Sequence, residues 1–214
     1  VAVVGKACVV LGIEVKPTDK FVEGSLSQKI LKIEENIYCA ISGLNADGRV
    51  LINKCRFEAQ QKRFDDYQEP QSIKQITHYM GNVMQYYTQS GGKRPFGISG
   101  LICGLDTSNE PCLYVVEPSG MSAQYNAFSI GKSSQPVIEF LEKQYQPLAS
   151  DDDALRLALQ SILEVHQNPT KDTIKLITIK YDSYEEAEDS KVAELIKYYL
   201  DKKKEEDSAK IGNI

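Results

Sequence analysis

The sequence predicts an α+β fold, and three observations predict it. Short apolar runs separated by turn residues fill residues 1–42 and again residues 98–130. Between these blocks, over residues 44–87, the apolar period changes to steps of three and four. Further helix-period segments follow the second block, with one more strand-like run among them. Strands and helices grouped this way mark sheets that carry helices on their outer faces. Two sheets packed face to face, with helices outside each, would use this order.

Val1 to Val4 and Ala7 to Ile13 read as strands, with Gly5-Lys6 as a two-residue turn. A hairpin that starts at residue 1 leads us to expect further residues before Val1 in the natural chain. Glu14 to Gly24 is a polar loop containing Pro17. Ile30 to Ile33 and Ile37 to Ser42 are two more strands, turned by Glu34-Glu35-Asn36 and closed by Gly43.

Leu44 to Phe64 has helical period, with Ala46, Val50, Phe57 and Phe64 expected on the buried side. Asp65-Asp66 ends it. Glu69-Pro70 is expected to open a second helix, because Pro is tolerated in a first turn. Its apolar stripe is Ile73, Ile76, Met80, Val83 and Tyr87, and Gly91-Gly92 stops it.

Ile98 to Gly104, Cys112 to Val116 and Tyr125 to Ile130 follow as apolar runs. Asp106-Thr-Ser-Asn, Pro118-Ser-Gly and Gly131 punctuate them. They read as consecutive strands joined by hairpins and buried on both faces. A helix is expected from Ser134 to Tyr145, with Pro136 in its first turn. Another is expected from Asp151 to His166, capped by Ser150, with Asp151, Asp152 and Asp153 at the positive end of its dipole. Its buried side is Leu155, Ala158, Leu159 and Ile162. Ile174 to Ile179 is a strand, and Tyr184 to Leu200 a final helix. Residues 1–200 are read as one domain, because no linker divides them, and the charged tail 201–214 is expected to be mobile.

Composition narrows the function. A chain of 214 residues allows a substantial core. The net charge of -5, with no dominant basic face, argues against a nucleic-acid surface. The five Cys show no CxxC and no zinc spacing, and an odd count without a framework fits a reducing compartment. No apolar run reaches membrane-spanning length, and no secretory leader is expected. Neither a metal nor a cofactor is expected. His78 and His166 are far apart and read as partly buried structural histidines. Asp151 to Asp153 start a helix more simply than they hold a metal. Gly91-Gly92-Lys93 does not sit between a strand and a helix, as a phosphate loop would.

One stretch is more specific. RPFG before an apolar strand, then CLYVVEPSG, then FSIGK leading into VIEFLEKQY, resembles the central segment of proteasome alpha-type subunits. The likeness extends from about Val1 to the helix ending near Leu200. ADGRVLINKCRFEAQ and YTQSGGKRPFG are most similar to the fourth alpha position of the eukaryotic ring, alpha type-7. The resemblance implies a four-layer α-β-β-α sandwich of the N-terminal-nucleophile hydrolase type.

It also implies where chemistry would sit. Beta-type relatives cut peptides with an N-terminal Thr whose own amine serves as base. On alignment of the strand ending at Glu14, that position falls a few residues before Val1. Glu14 stands where active subunits carry an Asp, Lys29 in SQKILKI where they carry a Lys, and Lys132 where they carry a Ser. A Gly-Gly pair has no counterpart in NPTKDTIKL. Glu14 and Lys132 are therefore read as degenerate remnants, with no catalytic residue. In the alpha type, the Lys at the position of Lys29 lines a pocket between subunits that receives the C-terminal carboxylate of an activator or regulatory-particle subunit. Leu44 in SGLNADGR matches a residue of the same pocket. The plainer alternative for Lys29 is a solvated lysine at a strand end.

The implied partners are six other alpha-type subunits in a heptameric ring, beta-type subunits of the adjacent ring, and activator C-termini. Nucleic acid and membrane are not among them. The implied location is the cytoplasm and nucleus. Alpha subunits begin with a helix and an aromatic-acidic gate segment; either it precedes Val1 in the natural chain or this protein lacks it, and the gate role stays open. Two alternatives stay open: a peptidase whose Thr lies upstream of Val1, and an isolated α+β interaction domain.

Overall fold

The computed structural model describes residues 1–15, 29–65, 70–146, 150–166, 169, 173–181 and 183–199. Within them two antiparallel five-stranded sheets lie between layers of helices. The first sheet has the order β10-β9-β2-β1-β8, from β1 (Ala2–Val4), β2 (Val9–Glu14), β8 (Ala127–Phe128), β9 (Ile174–Lys180) and β10 (Ser183–Glu186). The second has the order β3-β4-β5-β6-β7, from β3 (Ile30–Glu34), β4 (Ile37–Gly43), β5 (Ile98–Leu105), β6 (Pro111–Val116) and β7 (Ser122–Gln124).

Three apolar layers hold the stack. Leu11, Leu101, Leu113, Ile177 and Ile179 fill the space between the sheets. α1 (Asn45–Asp65) and α2 (Ile73–Gln89) cover the outer face of the second sheet through Leu51, Ile52, Met80 and Met84, which meet Ile41 and Ile102. α3 (Ser134–Gln144), α4 (Asp151–Leu163) and a helix over 189–199 cover the first sheet. Leu141, Leu159 and Ile196 there meet Val3, Val10 and Leu176. Both faces of each central strand are buried, which is why the strand sequences run apolar without alternation. The predicted α+β sandwich is the observed fold.

Several elements differ from the sequence reading. The β1–β2 turn is four residues, because Val4 pairs with Val9 and the Gly5 amide donates to Cys8 O at 2.8 Å. The β3–β4 turn is Glu35-Asn36 alone, since Glu34 still pairs with Ile37. α1 exists, but its buried face is Gly48, Leu51, Ile52, Cys55 and Ala59. Val50, Phe57 and Phe64 are 52%, 67% and 87% exposed. Small residues won the inner face because the helix lies close to the sheet: a Cβ on Gly48 would collide with Ile41.

α2 starts at Ile73, beyond Pro70, because Ser72 and Gln75 form a capping box. Tyr125 to Ile130 is not one strand. Residues 122–124 pair with β6 and residues 127–128 pair with β1, so Tyr125-Asn126 carries the chain between sheets. Tyr184 lies in β10, paired with Ile179 and stacked on Tyr38 with ring centroids 5.1 Å apart, and the last helix begins later. The Ser150 cap is as expected, in a capping box with Asp153. His78 is exposed rather than partly buried. The loop after Val15 and the tail 201–214 lie outside the described residues.

α2 also makes a close approach. A Cβ on Gly81 would stand 2.6 Å from Gly120 O, in the turn after β6. Gly120 has φ +88. The backbones touch there because neither residue carries a side chain.

Candidate functional site at one end of the sandwich

Antiparallel pairing gathers strand ends. Gly12 N donates to Val1 O, Ile41 N donates to Lys29 O, and Gly43 pairs with Ile98. The starts of β1, β3 and β5 therefore share one end of the molecule with the finishes of β2 and β4. Lys29 ties the two sheets at that end: its Nζ donates to the backbone carbonyl of Glu14, the last residue of β2, at 2.5 Å. The Glu14 carboxylate turns elsewhere, with Oε1 3.7 Å from Nε2 of His166 after α4. Nδ1 of His166 is buried with no partner among the described residues.

Leu44 joins β4 to α1 and is 54% exposed. Its amide donates to Gly97 O at 3.0 Å, and its side chain lies over the Cα of Gly97. Asp47, in the first turn of α1, fixes this junction. Arg94 Nη1 and Nη2 donate to its two oxygens at 2.7 and 2.9 Å, and the Gly97 amide donates at 3.0 Å. These bonds hold the Asp47 carboxyl at about 2, below the usual range. Sequence reasoning missed this clamp because its partners are 47 residues apart. The legible signals were an acid in a helix's first turn and an Arg in RPFG.

Lys132 lies across the end, between β8 and α3. It lines a cleft of about 520 Å³ between the sheet ends, together with Ser42, Gly43, Glu117 and Ser129. Gly131 before it has φ +113, and a Cβ there would stand 3.3 Å from Ser42 Oγ. Lys29 is not among the residues that line the cleft. The structure thus brings Glu14 and Lys29 into contact, sets Leu44 at the same sheet end, and places Lys132 in a neighbouring cleft.

The family described as Proteasome subunit has a sequence profile that matches residues 1–180. The chain belongs to the proteasome subunit family. It is 44% identical over 188 residues to Proteasome subunit alpha type-4 of Saccharomyces cerevisiae, covering 86% of this chain and 73% of that protein. It is 42% identical over 171 residues to Proteasome subunit alpha type-7 of Dictyostelium discoideum, covering 80% and 68%. It is 38% identical over 208 residues to Proteasome subunit alpha type-7-like of Macaca fascicularis, covering 96% and 82%. Within the family this chain is an alpha-type subunit similar to alpha type-7, as RPFG and FSIGK indicated.

In this alpha-type proteasome subunit the thiols are poor nucleophiles. Burial pushes Cys55 and Cys103 up to about 12, and Cys39 is raised well above its ordinary value for the same reason. Among the described residues no group of His, Cys, Asp and Glu is placed to hold a metal, and no helix is long and apolar enough to cross a membrane.

Proposed function

We propose that this proteasome subunit is a non-catalytic member of the alpha ring. It assembles with six other alpha-type subunits, stacks on a beta ring, restricts the admission of substrates and docks activators for ubiquitin-dependent degradation in cytoplasm and nucleus. The family match, with alpha-type relatives over most of the chain, carries this reading. A Lys where active relatives have a Ser supports the absence of catalysis. The Lys29 and Leu44 corner is the proposed receptor for an activator's terminal carboxylate. Its support is an ammonium held at a sheet end, with an exposed apolar side chain at the same end.

Affinity purification through a tag on this chain tests the assembly. Native mass measurement should give a particle with this chain in the outer ring. Recovery as a monomer, or in a beta position, would reject the reading. Lys29→Ala in the assembled particle should weaken activator-stimulated peptide hydrolysis and leave assembly intact. Unchanged stimulation removes the role of Lys29.

A further inference from the structure

We propose that Tyr86 is a covalent modification site: its exposed phenol, bonded by the Lys93 ammonium, takes an acyl group from small activated donors such as acyl imidazoles and acyl phosphates. The site lies apart from the Lys29 corner and does not rest on the assembly reading.

The chain builds the pair at the end of α2. The Ser90 amide and hydroxyl both donate to Tyr86 O, at 3.2 and 2.8 Å, and stop the helix. Gly92 then turns the chain with φ +76, and the Lys93 amide donates back to Ser90 O at 3.3 Å. This reversal brings the Lys93 ammonium over the last helical turn. Its Nζ donates to Tyr86 Oη at 3.2 Å. It also stands 4.4 Å from the centre of the Tyr86 ring and 5.0 Å from that of Tyr87. Tyr87 is itself held against Phe96, with ring centroids 4.7 Å apart. A hydrogen bond and two aromatic rings therefore place the ammonium.

An ammonium bonded to a phenol oxygen favours the phenolate, which is the nucleophilic form. The bond from Lys93 is the largest cause that lowers the Tyr86 phenol from its ordinary value. Burial instead raises Tyr38, Tyr114 and Tyr145. Tyr86 is 55% exposed, so a small donor can reach it. Tyr181 and Tyr198 are as open, at 58% and 62%, but among the described residues no cation bonds to either hydroxyl.

In the step, the phenolate oxygen forms a bond to the acyl carbon. The bond from that carbon to the leaving group breaks, and the leaving group departs with its electron pair. The phenol's proton goes to solvent. An ammonium has no lone pair, so Lys93 assists without competing for the acyl carbon. A phenyl ester is a poorer acceptor than a phenolate, so acylation also releases Lys93, the residue before Arg94.

The test is peptide mapping by mass spectrometry of the full native chain after limited treatment with N-acetylimidazole. Tyr86 should acylate at least about fivefold faster than Tyr198, the phenol of matched exposure. Hydroxylamine should remove the Tyr86 label, because it cleaves a phenyl ester and spares a lysine amide. Lys93→Met, at an exposed position, should bring the Tyr86 rate down to that of Tyr198. In urea the two rates should converge. Equal rates in the native chain overturn the proposal. So do an undiminished advantage in Lys93→Met, an advantage that survives urea, and a hydroxylamine-resistant label on Lys93 in place of Tyr86.

Discussion

Arg94 grips Asp47 with two parallel hydrogen bonds of 2.7 and 2.9 Å, and so locks the RPFG turn to the first turn of α1. Asp47 ionised serves three donors at once, and it sits where the helix dipole favours negative charge. Its pKa in the folded chain is about 2, lowered from 3.8, so its contribution is fully present above about pH 4 and is lost as pH falls through about 2. The guanidinium side is open to water, which screens the pair. Asp47→Asn should therefore lower stability by about 1 kcal/mol at neutral pH, and the deficit should vanish in acid. Urea midpoints at several pH values check this. A deficit that persists in strong acid would assign the effect to shape rather than charge.

The two faces of α1 should respond oppositely. Leu51 is fully buried against the second sheet, and Leu51→Ala should cost about 2–5 kcal/mol. Phe57→Ala removes a larger side chain from an exposed face and should change the stability of the free chain by about 0.5 kcal/mol or less. Equilibrium denaturation of both variants decides. A large loss for Phe57→Ala would mean that the stripe read from periodicity is the buried one.

Gly81 and Gly120 leave no room between α2 and the turn after β6. Gly81→Ala improves helix propensity, yet it must push that backbone away. Overpacking of this kind costs about 1–3 kcal/mol, more than the propensity gain. A lowered denaturation midpoint is expected, and a raised one would show that the turn yields freely.

Thiol reactivity should separate the cysteines. Cys8, Cys39, Cys55 and Cys103 are buried, and Cys112 is half-buried. An aromatic disulfide reagent should modify Cys112 first in the native chain and reach the others only on unfolding. Early modification of Cys103 would reveal an opening between the sheets.

The layer order was legible because blocks of strand and helix period are long, and because capping at Ser150 is local chemistry. α1 was placed correctly but turned wrongly. Periodicity weighs Phe57 and Phe64 by their size, whereas the close sheet contact rewards Gly48 and Ala59. The break at Tyr125-Asn126 was invisible because both halves are apolar, and only pairing partners distinguish them. The same holds for Tyr184, whose strand character comes from β9 and Tyr38. At the site, Lys29, Glu14, Leu44 and Lys132 came from motif likeness. The Arg94 clamp is a product of tertiary geometry.

The two sheets draw on the chain differently. Every strand of the second sheet lies between residues 30 and 124, whereas the first joins β1 and β2 to β8 and then to β9, which begins at Ile174. During synthesis the second sheet with α1 and α2 has all its strands before the other half of the molecule can close. Until Ile174 has emerged, Val9–Glu14 holds an unsatisfied edge, full of apolar side chains, on a nascent chain. A growing chain of this protein therefore carries that edge open from the emergence of Glu14 until β9 follows and covers it.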